Sequence, residues 1–487
     1  MNFSASSYYT LHRPSFCDRR VYLRSHKIKE PESSEFDKLL EELGQRHELE
    51  HLSTFEEFED LRGASFEDRI SRTLAAVKNG ASVIYQGVLQ STIPGSKDEV
   101  VGIPDFLIKD GKSYRIRDCK LARHADESRH PEILLQLELY GWLFEETFEM
   151  RPTALEAYLG DRTILETSYD GGAFALEVLK DIRSVSNLKE EPYSPVGWSK
   201  CMGCGFEQRC WSIAHESGDP AIIPAIDQGA ANGLRKIGIQ SIDHLLKKFD
   251  VAKLAEFKRP WGKGVAKIGK SSERILLQAE AIRDNKEILI SPIGLPDSEN
   301  MVMFDLEGMP PYFDELDKVY LWGIQVCGAK PGPFTPALAS FGTEGDRQGW
   351  MDFLSNSRKI FADHGDIPFV HWANYEKTKL KAYMKRFGDE EEIAQRVLAN
   401  CLDLLEVTKE SLILPVYSYG LKMVEKYVKF KRTMEEFGGE WSMAQYIRAV
   451  ETKDEKLRNE IMSKIVKYNE EDLQATWAVL QWLRERA

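Results

Sequence analysis

Asp105, Asp118 and Lys120 lie close together in the chain, the last two separated by a single residue. In a strand that spacing puts two side chains on one face, because successive residues point to opposite sides. Tyr114 to Leu121 reads as such a strand, with Ile116, Asp118 and Lys120 on one face, and Asp105 opens the strand before it. Two carboxylates and an ammonium at one sheet edge can hold Mg²⁺ or Mn²⁺, lower the pKa of a bound water and stabilise charge developing on a phosphate. Phosphodiester hydrolysis needs that set. A solvated strand edge uses the same residue types, so the triplet alone does not decide.

A second set sits toward the other end. In MetValMetPheAspLeuGluGly (Met301 to Gly308), alternation puts Met303, Asp305 and Glu307 on one face and Val302, Phe304 and Leu306 on the other. Tyr468 and Asp472 are four apart on an expected helix and share a face. Between them, PheValHisTrpAlaAsnTyrGlu (Phe369 to Glu376) ends an apolar segment on Glu376, and Asp403 is an alternative acidic contributor. Four carboxylates can hold two metals about 4 Å apart, one activating water and one stabilising the leaving oxygen.

The cysteines form a third pattern. Cys201, Cys204 and Cys210 cluster late, and Cys17 stands far upstream in PheCysAspArgArgValTyrLeu. Four thiolates suit an iron-sulfur cluster, and they equally suit tetrahedral zinc. Cys119 points away from Asp118 and Lys120, while Cys327 and Cys401 lie in apolar surroundings as core residues.

The elements that must position these residues follow from periodicity. Amphipathic helices over Glu35 to Leu52, Phe66 to Lys78 and Pro131 to Glu145 alternate with strands over Ser82 to Val88, Val100 to Ile108 and Ser113 to Leu121. Gln136 and Tyr140 project from one face of the third helix. His47 lies on the first, with His51 one turn further as a competing candidate. Residues 1–215 therefore read as an α/β domain. The stretch 216–290 reads as an all-helical connector punctuated by glycines, and Ala231 to Ile242 looks like half of a helix-hairpin-helix. Lys258, Arg259, Lys263, Lys267 and Lys270 follow it. After a Pro- and Gly-containing linker, 301–487 reads as strands and then helices.

At 487 residues the chain exceeds one hydrophobic core, and 42% hydrophobic content with ten Trp can fill two. No stretch reaches the roughly 20 apolar residues that span a bilayer, and no signal-peptide core is present, so a cytoplasmic protein without a membrane partner is expected. Seven cysteines in that compartment point to metal ligation or buried thiols before disulfides. A net charge of −13 opposes general adhesion to nucleic acid, but carboxylate-held cations reverse the local sign.

In this order the residues resemble the PD-(D/E)XK superfamily in its RecB-like branch, with its upstream helical His, metal-binding Asp, AspXLys strand and GlnXXXTyr helix. The resemblance implies a restriction-endonuclease-like fold, with His47, Asp105 and Asp118 as metal ligands. Lys120 becomes the catalytic lysine, and Gln136 and Tyr140 contact substrate or brace the site. It further implies that Cys17, Cys201, Cys204 and Cys210 hold a 4Fe-4S cluster, as in the iron-sulfur members of that branch. The later set resembles the RNase H-like 3'-5' exonucleases of the DEDD type in their tyrosine-containing variety. That implies Asp305, Glu307, Glu376 and Asp472 as ligands of Mg²⁺ or Mn²⁺ and Tyr468 as the residue orienting water. Glu376 departs from the pattern, which has Asp there. The whole arrangement resembles a RecB-like family that joins both modules through a helical connector. It implies a nuclease, acting on single-stranded DNA as an exonuclease in repair, recombination or mobile-element defence, with a helicase or repair protein as partner. The other expectation is an iron-sulfur scaffold with vestigial sites that binds nucleic acid.

Overall fold

The computed structural model describes residues 2–31, 35–262, 264–309, 317–340, 342–434 and 438–487; Lys263 lies outside them. The chain divides into two compact units. The first comprises Met1–Ser194 and Ser199–Arg209, the second Pro195–Trp198 and Cys210–Ala487. Among the described residues no helix is long and apolar enough to cross a membrane.

The first unit is built on a six-stranded sheet with strands in chain order: β1 (Glu59–Asp60), β2 (Val83–Tyr85), β3 (Phe106–Asp110), β4 (Ser113–Cys119), β5 (Ala154–Tyr158) and β6 (Ile164–Thr167). The central β3 and β4 pair antiparallel, Phe106 opposite Arg117, and β4 pairs parallel with β5, Asp118 opposite Ala157. Helix α1 (Glu35–Leu52) carries the two early histidines, and α2 (Pro131–Phe148) packs its Leu139, Leu143 and Phe144 into the core with Ile116 and Leu155. Proline at the first helical position suits a residue that has no N–H to satisfy. Each fully buried Leu contributes about 1.5–3 kcal/mol, enough to hold a helix whose face also buries Glu132 and Gln136. A small sheet of Asn2–Ser4, Glu99–Gly102 and Leu89–Thr92 lies in the same unit. A Cβ on Gly102 would stand 2.7 Å from the Tyr140 ring, so glycine is what lets that strand approach α2.

The expected strand over Ser82 to Val88 stops at Tyr85. Gln86 takes a left-handed φ of 59°, which breaks the pleat and turns its side chain toward the Asp105 side of the sheet.

In the second unit a five-stranded sheet has the order β9-β8-β7-β10-β11, with β7 (Asn300–Met309), β8 (Lys318–Gly328), β9 (Thr335–Leu338), β10 (Phe369–His371) and β11 (Cys401–Asp403). β7, β8 and β9 are antiparallel neighbours, whereas β10 and β11 run parallel to β7. The apolar face read from alternation, Val302, Phe304 and Leu306, packs with Trp322, Trp350 and Phe353 under α3 (Gly342–His364). Three further helices carry or flank the acidic face: α4 (Tyr375–Phe387), α5 (Leu404–Ser411) and α6 (Glu455–Arg484).

The connector groups with this unit and is not all-helical. Helices Gln228–Lys236, Ile242–Lys248 and Val251–Glu256 are followed by a β-hairpin, Lys258–Trp261 against Gly264–Lys267, before helix Ser272–Asp284. Pro260 cannot sit in a helix interior, and Gly262 takes a left-handed φ of 55° at the turn, so the segment that reads as helical by composition folds back on itself.

Candidate functional site

In the first unit, Asp105 immediately precedes β3 and Asp118 lies on β4, and the two strands pair so that the acids interlock. The backbone N–H of Asp105 donates to Asp118 Oδ1 (3.2 Å), and that of Cys119 donates to Asp105 Oδ2 (2.7 Å). The Lys120 ammonium pairs with Asp118, and its Nζ stands 5.6 Å from the centre of the Tyr9 ring. Tyr9 OH donates to Gln136 Oε1 (2.9 Å), and Gln136 Nε2 donates to Tyr140 OH (2.7 Å). Thus the two residues read from the i, i+4 spacing of α2 meet each other, and Tyr9 links them to the lysine.

Burial, then the charges of Asp118 and Glu48, push the Asp105 carboxyl well above the usual carboxylate range. Burial works against the Lys120 ammonium, yet Asp118, Tyr9 and Asp105 carry its pKa well above the ordinary lysine value. The site therefore has a locked cation beside crowded carboxylates.

His47 and His51 of α1 both pack on Tyr158. His47 Nε2 lies 3.3 Å from the Tyr158 carbonyl, and its ring stacks on Tyr158. His51 also stacks on Tyr158, and its pKa is lowered to about 4 by burial and by Arg117, whose guanidinium lies 3.1 Å from Nε2. The residue of α1 that reaches the aspartates is Glu48. Gln86 Nε2 donates to both Glu48 Oε1 (2.6 Å) and Asp105 Oδ1 (2.9 Å), and Tyr85 OH donates to Glu48 Oε1 (2.7 Å). Glu48 follows His47 directly, and adjacent helix residues point to different faces, so helical spacing did not raise it. Nothing in the spacing points to Gln86 or Tyr9.

In the second unit, one ligand atom from each of Asp305, Glu307 and Asp472 lies within 4.8 Å of the others, the one such group of three among the described residues. Asp305 and Glu307 share the face of β7 that carries Met301 and Met303, itself covered by a second core cluster, and Asp472 comes from α6. Asn469 Nδ2 donates to Asp305 Oδ2 (2.7 Å), and Tyr320 OH lies 3.5 Å from Glu307 Oε2. Burial, then Asp472, pushes Glu307 up to about 8, and burial with Asp472, Glu307 and Glu376 raises Asp305 well above its ordinary value. Tyr468 is buried against Trp441, and burial and Asp472 raise its phenol far out of titration range, leaving a neutral O–H. Two buried carboxylates and one half-buried one that repel one another are a donor set suited to a hard divalent cation.

Glu376 lies in the first turn of α4, buried, with Oε2 3.5 Å from His371 Nδ1, and it is not part of the three-acid group. Asp403 serves as the N-cap of α5, accepting from Leu405 N–H and Glu406 N–H, and it also accepts from Ala373 N–H. Two cations that sequence reasoning missed, Lys422 and Arg432, both pair with Asp472, and Arg432 also forks onto Glu425 with two bonds of 2.7 Å. They come from a segment with no motif of its own.

Gly323 on β8 lies opposite Asp305, and a Cβ there would overlap Asn469 Oδ1. Gly323→Ala is therefore expected to push Asn469 off Asp305 and to cost about 1–3 kcal/mol from overpacking. Denaturant unfolding of the variant checks the cost; an unchanged midpoint would show that Asn469 moves freely.

Of the four clustered or upstream cysteines, Cys17, Cys201 and Cys204 belong to the first unit and Cys210 to the second. All are half-buried and none forms a disulfide. Cys17 precedes helix Asp18–Ser25, with Sγ 3.4 Å from Ser194 Oγ, and the Cys204 N–H donates to the Cys201 carbonyl (2.9 Å). Cys119 is half-buried, and burial pushes its thiol far up. Cys327 and Cys401 are raised by burial to about 11 and about 12, as expected of thiols in apolar surroundings.

Residues 15–211 match the model of the PD-(D/E)XK nuclease superfamily, and residues 302–484 match that of the RNase H superfamily. No curated protein matches the chain at a significant level. A solved structure described as the crystal structure of SSO0001 is similar at 16% identity, over 43% of this chain and 86% of that one, with a TM-score of 0.24.

Proposed function

Since the chain joins a domain of the PD-(D/E)XK nuclease superfamily to one of the RNase H superfamily, we propose that it is a Mg²⁺- or Mn²⁺-dependent nuclease that degrades single-stranded DNA from an end. The observation that carries this reading is the convergence of Asp305, Glu307 and Asp472 at one buried point. Such a carboxylate group, when it holds divalent cations, supplies an activated water and charge neutralisation at the scissile phosphate. Asp305, Glu307 and Asp472 would hold those cations, with Glu376 of α4 as a further acidic contributor. The neutral Tyr468 O–H would orient the attacking water. In the first unit His47, Asp105 and Asp118 would be the corresponding ligand set, and Gln86 ties Glu48 to Asp105 beside it. Lys120, held by Asp118, is placed to stabilise charge on the phosphate, and Gln136 and Tyr140 brace it through Tyr9. Repair, recombination or mobile-element defence is the setting such an activity fits, with a helicase as a suitable supplier of single strands.

Cys17, Cys201, Cys204 and Cys210 would hold a 4Fe-4S cluster. Four thiols outside any disulfide, all within the matched nuclease segment, offer the ligand chemistry of such a cluster, although among the described residues their sulfurs do not form a convergent group of three within 4.8 Å. Zinc suits the same donors, so metal analysis of anaerobically purified protein decides between them.

One observation favours a second reading. Lys422 and Arg432 already offset Asp472 with cations of the chain's own, as a vestigial site that only binds nucleic acid would do. End-labelled single-stranded DNA, incubated with Mg²⁺ or Mn²⁺ and protein carrying Lys120→Ala, Asp472→Ala or both, separates the two. Loss of cleavage in one variant assigns the active unit. Cleavage that survives the double substitution rejects these site assignments, and a wild type that binds but never cleaves supports the scaffold.

A further inference from the structure

A cavity of about 360 Å³ in the second unit lies outside the carboxylate group and is lined from several separate segments, including Trp198, Trp211, Arg274, Lys409, Tyr417 and Tyr419. Four of those six are aromatic and two are cationic. The lining holds no carboxylate, although the chain carries a net charge of −13. A site that excludes acid while gathering arginine and lysine selects an anion, and one walled by indole and phenol rings selects a flat π-system. We propose that this cavity binds one nucleotide of a single-stranded nucleic acid, its base against the aromatic rings and its phosphate on Arg274 and Lys409.

The geometry of the lining supports that ligand. Tyr419 is fixed at its hydroxyl, which donates to Gln278 Oε1 (3.0 Å) and accepts from the Leu414 N–H (2.9 Å), so its ring is a rigid wall. Arg274 and Lys409 stand over that ring at 5.9 and 5.6 Å, and Arg274 is oriented by its bond to the Lys409 carbonyl (2.9 Å). Trp211, His215 and Tyr417 form a second group of contacting rings. Trp198 is 43% exposed at the cavity, which leaves an indole face open to a stacking ligand. The volume falls within the few-hundred-Å³ range of small-ligand sites.

The position relative to the carboxylates gives the cavity a use. Lys409 lies on α5, six residues after its N-cap Asp403, which is about 9 Å along the helix axis. Asp403 in turn bonds the Ala373 N–H, three residues before Glu376. One short helix thus joins the cavity to the β-strand segment that precedes Glu376. On the exonuclease reading above, on which this use rests, a nucleotide held here would anchor the strand whose end is being hydrolysed.

The test is fluorescence anisotropy with short fluorescein-labelled oligothymidylate and oligouridylate, in EDTA so that nothing is cleaved. Trp198→Ala and Lys409→Glu suit it, because both side chains are exposed and neither belongs to the carboxylate site. Each is expected to weaken binding by about 5- to 100-fold, the range for loss of one stacked base or its phosphate contact. The polymer that shows the larger loss identifies DNA or RNA as the ligand. Wild-type affinity in both variants, or no binding of either polymer by the wild type, overturns the proposal. The same proteins assayed with Mn²⁺ beside Asp305→Asn keep the two readings apart. Cleavage that needs Asp305 but ignores the cavity removes only the nucleotide site; cavity-dependent binding without cleavage removes only the exonuclease.

Discussion

Asp305→Asn is expected to abolish cleavage by the second unit and, in metal-free protein near pH 8, to raise thermal stability. Asp305 is buried beside Asp472, Glu307 and Glu376, and these charges lift its pKa far above the carboxylate range. Glu307 shares the strain and is pushed up to about 8. A carboxyl whose folded pKa is raised binds its proton more tightly in the native state. Its stabilising effect is complete below the unfolded value near 4.5 and is lost as pH rises through about 8. Metal-free wild type should therefore lose stability across that window, by an amount on the order of a few kcal/mol. Asn has the shape of Asp without the charge, so the variant should lose less, while removal of a metal ligand should cut cleavage by at least about 100-fold. The measurement is Tm against pH in EDTA and again with Mn²⁺. A variant less stable than wild type at pH 8 in EDTA, with an unchanged Mn²⁺ response, would show that Asp305 is not part of a repelling metal-binding group.

Lys120→Met should act in the opposite sense on the first unit. Lys120 is half-buried and paired with Asp118, which is 2% exposed. Removing the ammonium strands a buried carboxylate, and such losses cost about 3–5 kcal/mol. Cleavage assigned to this unit should disappear with it. A structural role alone would predict that restoring stability restores activity. Lys120→Met combined with Asp118→Asn tests the structural part, since it removes both charges: unfolding free energy should recover most of the loss, while cleavage stays absent with two site groups gone. Recovery of both would reduce Lys120 to a partner of Asp118; recovery of neither would show that Asp118 is not the group it balances.

Much of both sites was legible because it depends on local periodicity. The two-residue repeat of a strand places Asp118 with Lys120 and Asp305 with Glu307, and the four-residue repeat of a helix places Gln136 with Tyr140 and Tyr468 with Asp472. These pairs need no tertiary information: in the structure Gln136 bonds Tyr140, Lys120 pairs with Asp118, and Asp305 stands beside Glu307. The reading failed where composition stood in for geometry. Glycine-punctuated apolar residues suggested an all-helical connector, but Pro260 and Gly262 turn part of it into a hairpin.

Which residues complete each site was decided only by packing. The sequence by itself determined two domains, their order, the strand faces that carry acid and the helices that answer them, since burial of one face and exposure of the other is written residue by residue. The tertiary structure decided that Gln86 bridges Glu48 and Asp105. It also decided that Tyr9 ties Lys120 to Gln136, that Asn469 crosses Gly323 to reach Asp305, and that Lys422 and Arg432 close on Asp472. These contacts join positions many residues apart, and no repeat in the chain encodes them. They exist because close packing brings distant elements together and because a buried polar group must then find a partner.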